Sequence, residues 1–143
     1  TASGTYYPVF IAASGSDQTA RVRTTATAFT YNPGTGDLTV NGDVVAYSDK
    51  RFKENVVTIE SALQKVDAIR GVSYTRNDLE DKNRKHIGVI AQEIEAVIPE
   101  VVNTGEDGIK SVAYGNIVGV LIEAIKELKA EVDELKKKLG ESS

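Results

Sequence analysis

The C-terminal part of the chain carries its clearest hydrophobic pattern. Apolar residues recur there in alternating steps of four and three, at Leu121, Ile125, Leu128, Val132, Leu135 and Leu139. This spacing predicts one long helix over about residues 114–140, with Ile or Val at the first two heptad a positions and Leu at d. We call these six side chains the seam, and we expect them to join helices of several chains in a coiled coil.

An amphipathic helix that packs onto its own domain is the alternative to a coiled coil. Charged residues outside the seam leave only a narrow apolar stripe, which favours self-association, and Glu131 can reach Lys136 of a neighbouring parallel helix. The β-branched residues at a with Leu at d favour two strands when they are considered alone.

The middle of the chain alternates between helical and strand spacing. Apolar residues over 59–69 predict a helix that Thr58 caps and that Gly71 ends with a left-handed residue. Val72–Thr75 then predicts a strand, and the polar residues 76–85 predict a solvated loop.

The same alternation continues beyond that loop. Residues 86–90 predict a buried strand that runs into a short helix over 92–98, which Pro99 stops. Residues 101–103 and 109–112 flank a Gly-rich turn and predict a hairpin. Together these elements indicate an α+β core.

The first 47 residues differ in composition, with Thr, Ala, Gly, Val and Tyr dominant and β-forming residues in short runs over 6–11 and 28–31. Asn-Pro-Gly-Thr-Gly-Asp at 32–37 predicts a turn, and a second turn at 41–43 could close a hairpin within 38–45. So short a segment with few large apolar side chains cannot bury a core alone. We therefore expect it to borrow partners from other protomers or from chain upstream of Thr1.

Composition and charge exclude several classes of function. With 17 basic and 21 acidic residues, the chain lacks the basic surface of a nucleic-acid-binding protein, so we expect no nucleic-acid partner. Cysteine is absent and no apolar run is long enough for a membrane span, so we expect neither disulfides nor a membrane partner. The single histidine, His86, is more typical of a polar strand-edge residue than of a zinc ligand, and we expect no metal and no cofactor.

A charged segment lies where the composition changes, and alone it predicts an exposed loop in which Ser48 caps a turn. The segment also opens a series of motifs that continues to the C-terminus. The series is Ser48-Asp49-x-Arg51-x-Lys53-Glu54-Asn55, Ala62-Leu63-x-Lys65-Val66, Gly71-Val72-x-Tyr74, Ile87-Gly88-Val89-Ile90-Ala91-Gln92-Glu93, Pro99-Glu100-Val101-Val102, and Val112-x-Tyr114 leading into Leu121 and Leu128. Over residues 48–143 it resembles the intramolecular chaperone family known as peptidase S74.

The resemblance implies a homotrimer with two parts. Residues 1–47 would be the C-terminal end of a β-rich fibre, and residues 48–143 an α+β chaperone with its core at about 48–112 and its terminal coiled-coil helix at about 114–140. Family members lie at the C-terminus of phage tail fibres, tailspikes, endosialidases and neck appendages. They trimerise, assist folding of the upstream fibre segment of the same chain, and release themselves by autoproteolysis, so the implied location is the virion tail fibre or appendage.

By position, the resemblance makes Ser48 the nucleophile, Lys53 its base, and Tyr47-Ser48 the scissile bond. A serine hydroxyl needs a nearby base, and a neutral lysine can serve. The ordinary pKa of a lysine, about 10.4, falls through burial or neighbouring positive charge, for which Lys50 and Arg51 are candidates. Side chains five residues apart meet only if the chain turns between them. We therefore expect assembly to activate the pair.

Two alternatives remain open at this point. One is a structural trimerisation module without catalysis, in which Ser48 only caps a turn. The other is the chaperone domain of a self-cleaving, membrane-anchored transcription factor, since a related domain occurs in such a protein. The Thr- and Gly-rich residues 6–45 resemble fibre more than a linker to a membrane anchor.

Overall fold

The computed structural model describes residues 9–10, 21–22 and 29–140 of the chain. Within these residues the chain folds as two units. The first unit contains the described residues up to Lys53 together with Thr75–Lys85, and the second contains Glu54–Tyr74 and the described residues from His86 onward. The predicted junction of fibre and chaperone, between residues 47 and 48, therefore lies inside the first unit.

Two short antiparallel hairpins occupy the N-terminal part of the first unit. Strand β1 (Val9–Phe10) pairs with β2 (Arg21–Val22), and β3 (Phe29–Asn32) pairs with β4 (Asp37–Val40). The predicted turn at 32–37 is confirmed. Asn32 Oδ1 accepts a hydrogen bond from the Gly34 amide at 3.0 Å, and the chain closes through positive φ at Gly36. The other residues of the predicted strand at 6–11, and residue 28, lie outside the described residues.

The hairpin predicted within 38–45 is wrong. Asp37–Val40 already has β3 as its partner, because the Pro-Gly turn brings β3 and β4 together first. Beyond Gly42 the chain runs without regular structure, and the side chains of Val44 and Val45 are exposed.

The loop predicted at 76–85 also belongs to the first unit and is irregular from Arg76 to Arg84. It contacts the β3–β4 hairpin, since Arg84 Nη1 lies 2.8 Å from Asp37 Oδ2. A Cβ added at Gly36 would lie 3.5 Å from Leu79 Cδ2, so the side chain of Leu79 lies against the turn between β3 and β4.

The second unit contains three helices and short strands, which confirms the α+β prediction. In chain order the elements are α1 (Ala62–Asp67), β5 (Val72–Thr75), β6 (Lys85–Gly88), α2 (Ala91–Glu95), β7 (Val102–Thr104), β8 (Lys110–Val112) and α3 (Ile117–Lys138). The strands pair as two two-stranded sheets, β5 with β6 and β7 with β8. Strand β5 and the β7–β8 hairpin were predicted and are confirmed, as is the long terminal helix, which a 3₁₀ turn at Tyr114–Asn116 precedes.

The core of the second unit lies between the three helices and the β7–β8 hairpin. Its buried members are Ala62, Ile94, Ile98, Val101, Val120 and Ala124. Helix α1 contributes Ala62, α2 contributes Ile94, and α3 contributes Val120 and Ala124.

Four predicted element details are wrong in this unit. Helix α1 begins at Ala62, four residues after Thr58, and Gly71 does not have positive φ because the helix already ends at Asp67. Strand β6 is not buried, since Ile87 is 87% exposed. Helix α2 ends at Glu95, and Pro99 starts a 3₁₀ turn instead of stopping the helix.

Candidate functional site

The chain turns sharply between Ser48 and Lys53. A single 3₁₀ turn over Lys50–Phe52 follows Asp49, whose backbone carbonyl accepts a hydrogen bond from the Phe52 amide at 3.1 Å. The Asp49 side chain caps this turn, because its Oδ1 accepts a hydrogen bond from the Arg51 amide at 2.9 Å. The predicted turn is present, and its capping residue is Asp49, where the sequence alone had suggested Ser48.

The turn brings the two predicted catalytic side chains together. Lys53 Nζ donates a hydrogen bond to Ser48 Oγ at a distance of 2.8 Å. Both residues are exposed to solvent. The contact forms within one chain, so assembly is not needed to bring the two groups together.

A second contact inside the same turn links Asp49 to Arg51. Arg51 Nε lies 3.0 Å from Asp49 Oδ1, and Arg51 Nη2 lies 2.7 Å from Asp49 Oδ2. The hydrogen bond from the Arg51 side chain, and then that from its backbone amide, lowers the pKa of the Asp49 carboxyl below its ordinary value. The charge of Arg51 is therefore balanced by Asp49, and Arg51 is a weaker source of positive potential for Lys53 than the sequence suggested.

The predicted scissile bond is accessible. Tyr47 is 98% exposed and lies in the irregular stretch before the turn. Its ring meets the ring of Phe52 edge to face, with the centroids 6.4 Å apart.

Helix α3 presents the seam to solvent. The six seam side chains are between 40% and 75% exposed, although each is a large aliphatic group. Val118 extends the seam by one a position towards the start of the helix and is also exposed. Sequence reasoning missed this residue, although counting back seven positions from Ile125 would have found it.

A different face of α3 packs onto its own unit. Val120 and Ala124 are buried there, and Glu127 accepts hydrogen bonds from the amides of Ala62 and Leu63 at 3.0 and 2.7 Å. These are the first amides of α1, so Glu127 caps a helix about sixty residues away in sequence. The two hydrogen bonds, that from Leu63 first, lower the pKa of Glu127.

Other candidate sites offer less chemistry. His86 lies on β6, stacks on the ring of Tyr74 at 5.6 Å, and makes no hydrogen bond through Nε2 to any described residue. Among the described residues, no group of carboxylate and histidine side chains could hold a metal ion, and no helix has the length and apolar character needed to cross a membrane. A cleft of about 660 Å³ lies beside the core, with Val57, Ile98 and Val120 in its walls.

Comparison with known proteins places this geometry in context. Residues 48–103 match the peptidase S74 family model, described as the chaperone of endosialidase. The chain is 34% identical over 116 residues to the long tail fiber protein Gp37 of Enterobacteria phage K3, covering 69% of the chain and 9% of that protein. It is 34% identical over 113 residues to Gp37 of Enterobacteria phage Ox2, covering 74% and 44%, and 33% identical over 107 residues to Gp37 of Salmonella phage S16, covering 69% and 14%. The chain therefore spans less than half the length of these curated relatives.

Proposed function

Since this chain belongs, over residues 48–103, to the peptidase S74 family of chaperones, we propose that it trimerises a phage tail fibre and then cuts itself free before Ser48. The observation that carries the proposal is the 2.8 Å hydrogen bond between Lys53 Nζ and Ser48 Oγ. The family match begins at the same serine. The Gp37 relatives, which are named long tail fibre proteins, support a fibre over a transcription factor as the cargo.

The seam supports the assembly step. Large aliphatic side chains exposed along a whole helix are unfavourable in water, and burying each one contributes about 1.5–3 kcal/mol. Three copies of α3 would remove the seam from water at their common axis. The helices would also hold three copies of the upstream fibre segment close together, which raises their local concentration while non-local β contacts form.

The cleavage step uses Ser48 and Lys53, which flank the turn, together with water. A neutral Lys53 takes the proton of the Ser48 hydroxyl, and Oγ attacks the carbonyl carbon of Tyr47, forming a C–O bond. The Tyr47-Ser48 C–N bond then breaks, and the Ser48 nitrogen receives the proton from Lys53. Water hydrolyses the resulting ester, which leaves a carboxylate on Tyr47 and restores the Ser48 hydroxyl.

Assembly would exclude water from the turn, which is exposed in the single chain. In one chain the Lys53 side chain is exposed to water. Covering the turn with neighbouring protomers would exclude that water, which favours the neutral amine that can act as a base. Cleavage then follows assembly, and residues 1–47 stay with the finished fibre.

The test is a denaturing gel with intact mass measurement of the purified chain, beside Ser48→Ala and Lys53→Ala. We expect wild type to give fragments that end at Tyr47 and begin at Ser48, and both variants to stay whole. Ser73→Ala and Lys82→Ala are matched controls, because both residues are exposed and lie outside the turn. They should cleave like wild type.

The exposure of both reactive groups favours a second candidate, a trimerisation module that does not cleave. An assembled wild-type chain that remains intact would support this module and contradict self-cleavage. A chain that remains monomeric would contradict both.

A further inference from the structure

We propose that Asp49 and Arg51 form a clip that positions Lys53 on Ser48, an inference that rests on the self-cleavage proposed above. One carboxylate makes all the contacts of this clip. Asp49 Oδ1 accepts from the Arg51 amide at 2.9 Å and from Arg51 Nε at 3.0 Å, while Oδ2 accepts from Arg51 Nη2 at 2.7 Å. The clip thus fixes both the backbone and the side chain of the middle residue of the turn.

The clip matters because the turn must hold the Lys53 amine at the Ser48 hydroxyl. Lys53 is a long, flexible side chain that would otherwise sample many rotamers in water. The 3₁₀ turn sets the direction in which Lys53 leaves the backbone, and Asp49 caps the amide of the middle residue of that turn. Holding a base within hydrogen-bonding distance of its target hydroxyl raises the rate by avoiding the entropy of bringing them together.

Bidentate geometry makes arginine specific for this role. The guanidinium fork matches both oxygens of a carboxylate, whereas a lysine ammonium offers a single point of charge. A lysine at position 51 would therefore keep the positive charge and lose the clip. Charge and position can be separated experimentally in this way.

Two explanations of Arg51 predict opposite results. If Arg51 acts through its charge, Arg51→Lys keeps cleaving, and Asp49→Asn cleaves faster because Arg51 is no longer neutralised. If Arg51 acts through position, both variants cleave more slowly, by about 10- to 100-fold, as expected for a misplaced catalytic group.

The experiment follows cleavage of the full chain in cell-free translation, with samples taken over time and at a series of pH values. We expect slower cleavage for Arg51→Lys and Asp49→Asn, with the pH midpoint of the rate unchanged from wild type. A merely structural role would show as loss of assembly, which size-exclusion chromatography with light scattering measures on the same samples.

The chain offers a matched control in a second arginine–aspartate pair. Arg76 and Asp78 also lie two residues apart, with Nε–Oδ1 and Nη2–Oδ2 distances of 3.0 and 2.5 Å. Arg76→Lys and Asp78→Asn remove the same interaction outside the Ser48 turn and should leave the cleavage rate unchanged.

The outcomes separate the inference from the function on which it rests. Wild type that never cleaves overturns the proposed self-cleavage, and the clip's role with it. Wild type that cleaves, with Arg51→Lys equally fast or Asp49→Asn faster, overturns the clip alone. A shifted pH midpoint in assembled Arg51→Lys would also overturn it, since charge would then be the property that matters.

Discussion

Helix α3 has two apolar faces that meet different surroundings. Val120 and Ala124 on one face are almost fully buried against the other elements of the second unit. The seam on the other face is exposed at each of its positions from Leu121 to Leu139. The buried face completes the core of the second unit. The seam is therefore not needed for that core and is available to contact another chain.

The difference shows that the two interpretations of the helix pattern are not exclusive. The helix does pack onto its own unit, as an ordinary amphipathic helix would, but it uses residues that lie beside the seam. Its first half therefore carries a wider apolar surface than a free coiled-coil strand needs. Its second half carries the seam alone.

Leu128→Asp should weaken association between chains, and this should be the largest of the expected effects. Each buried Leu contributes about 1.5–3 kcal/mol, so a trimer that loses three of them and gains three charges should associate about a thousand-fold more weakly or worse. Sedimentation equilibrium measures the change. Ala130→Asp is the matched control, because Ala130 is exposed on the same helix and outside the seam. Equal weakening by both variants would contradict a role for the seam.

A pair of valine truncations sharpens the comparison between the faces. Val120→Ala should lower the free energy of unfolding by about 2 kcal/mol at every protein concentration, since Val120 is 3% exposed in the core. Val132→Ala removes the same methyl groups from the seam, and its effect should depend on concentration, because only assembly buries them. Urea unfolding at several concentrations tests both. If both variants responded to protein concentration in the same way, the two faces would not differ in what buries them.

Glu127→Gln should have the smallest effect, and the effect should depend on pH. The folded-state pKa of Glu127 lies below its ordinary value of 4.5, so the carboxylate stabilises the fold above about that pH. This stabilisation is lost as the pH falls through the folded-state pKa. We expect the variant to melt at a lower temperature than wild type at neutral pH and to converge with it in acid. Glu106→Gln, in the exposed turn between β7 and β8, should melt at the same temperature as wild type at neutral pH.

Local patterns predicted the parts of the fold that local contacts determine. The turn after Asn32 is held by its own Asn and Gly residues, and β5 is a short β-forming run bounded by Gly71. The start of α1 could not be predicted in this way, because its first amides are capped by Glu127 of α3. The exposure of Ile87 likewise depends on which residues pack against β6, and the short run over 86–90 does not reveal them.

The candidate site could also be predicted only in part from the sequence. The family resemblance named Ser48 and Lys53, and the need for a turn between them followed from their spacing. The residue that makes the turn was not foreseen, because Asp49 acts through its contacts with Arg51, and such contacts are visible only in three dimensions.

Glu127 and Leu128 are adjacent on α3, yet one caps α1 and the other belongs to the seam. A helix is rigid over one turn, so the register of any assembly built on the seam is tied to the position of the core. Sliding one helix by a heptad would displace its whole unit by about 10 Å along the axis. Neighbouring copies of the second unit would then no longer lie at the same height along the axis. Contacts between the folded units would therefore oppose a shift in the register of the helices.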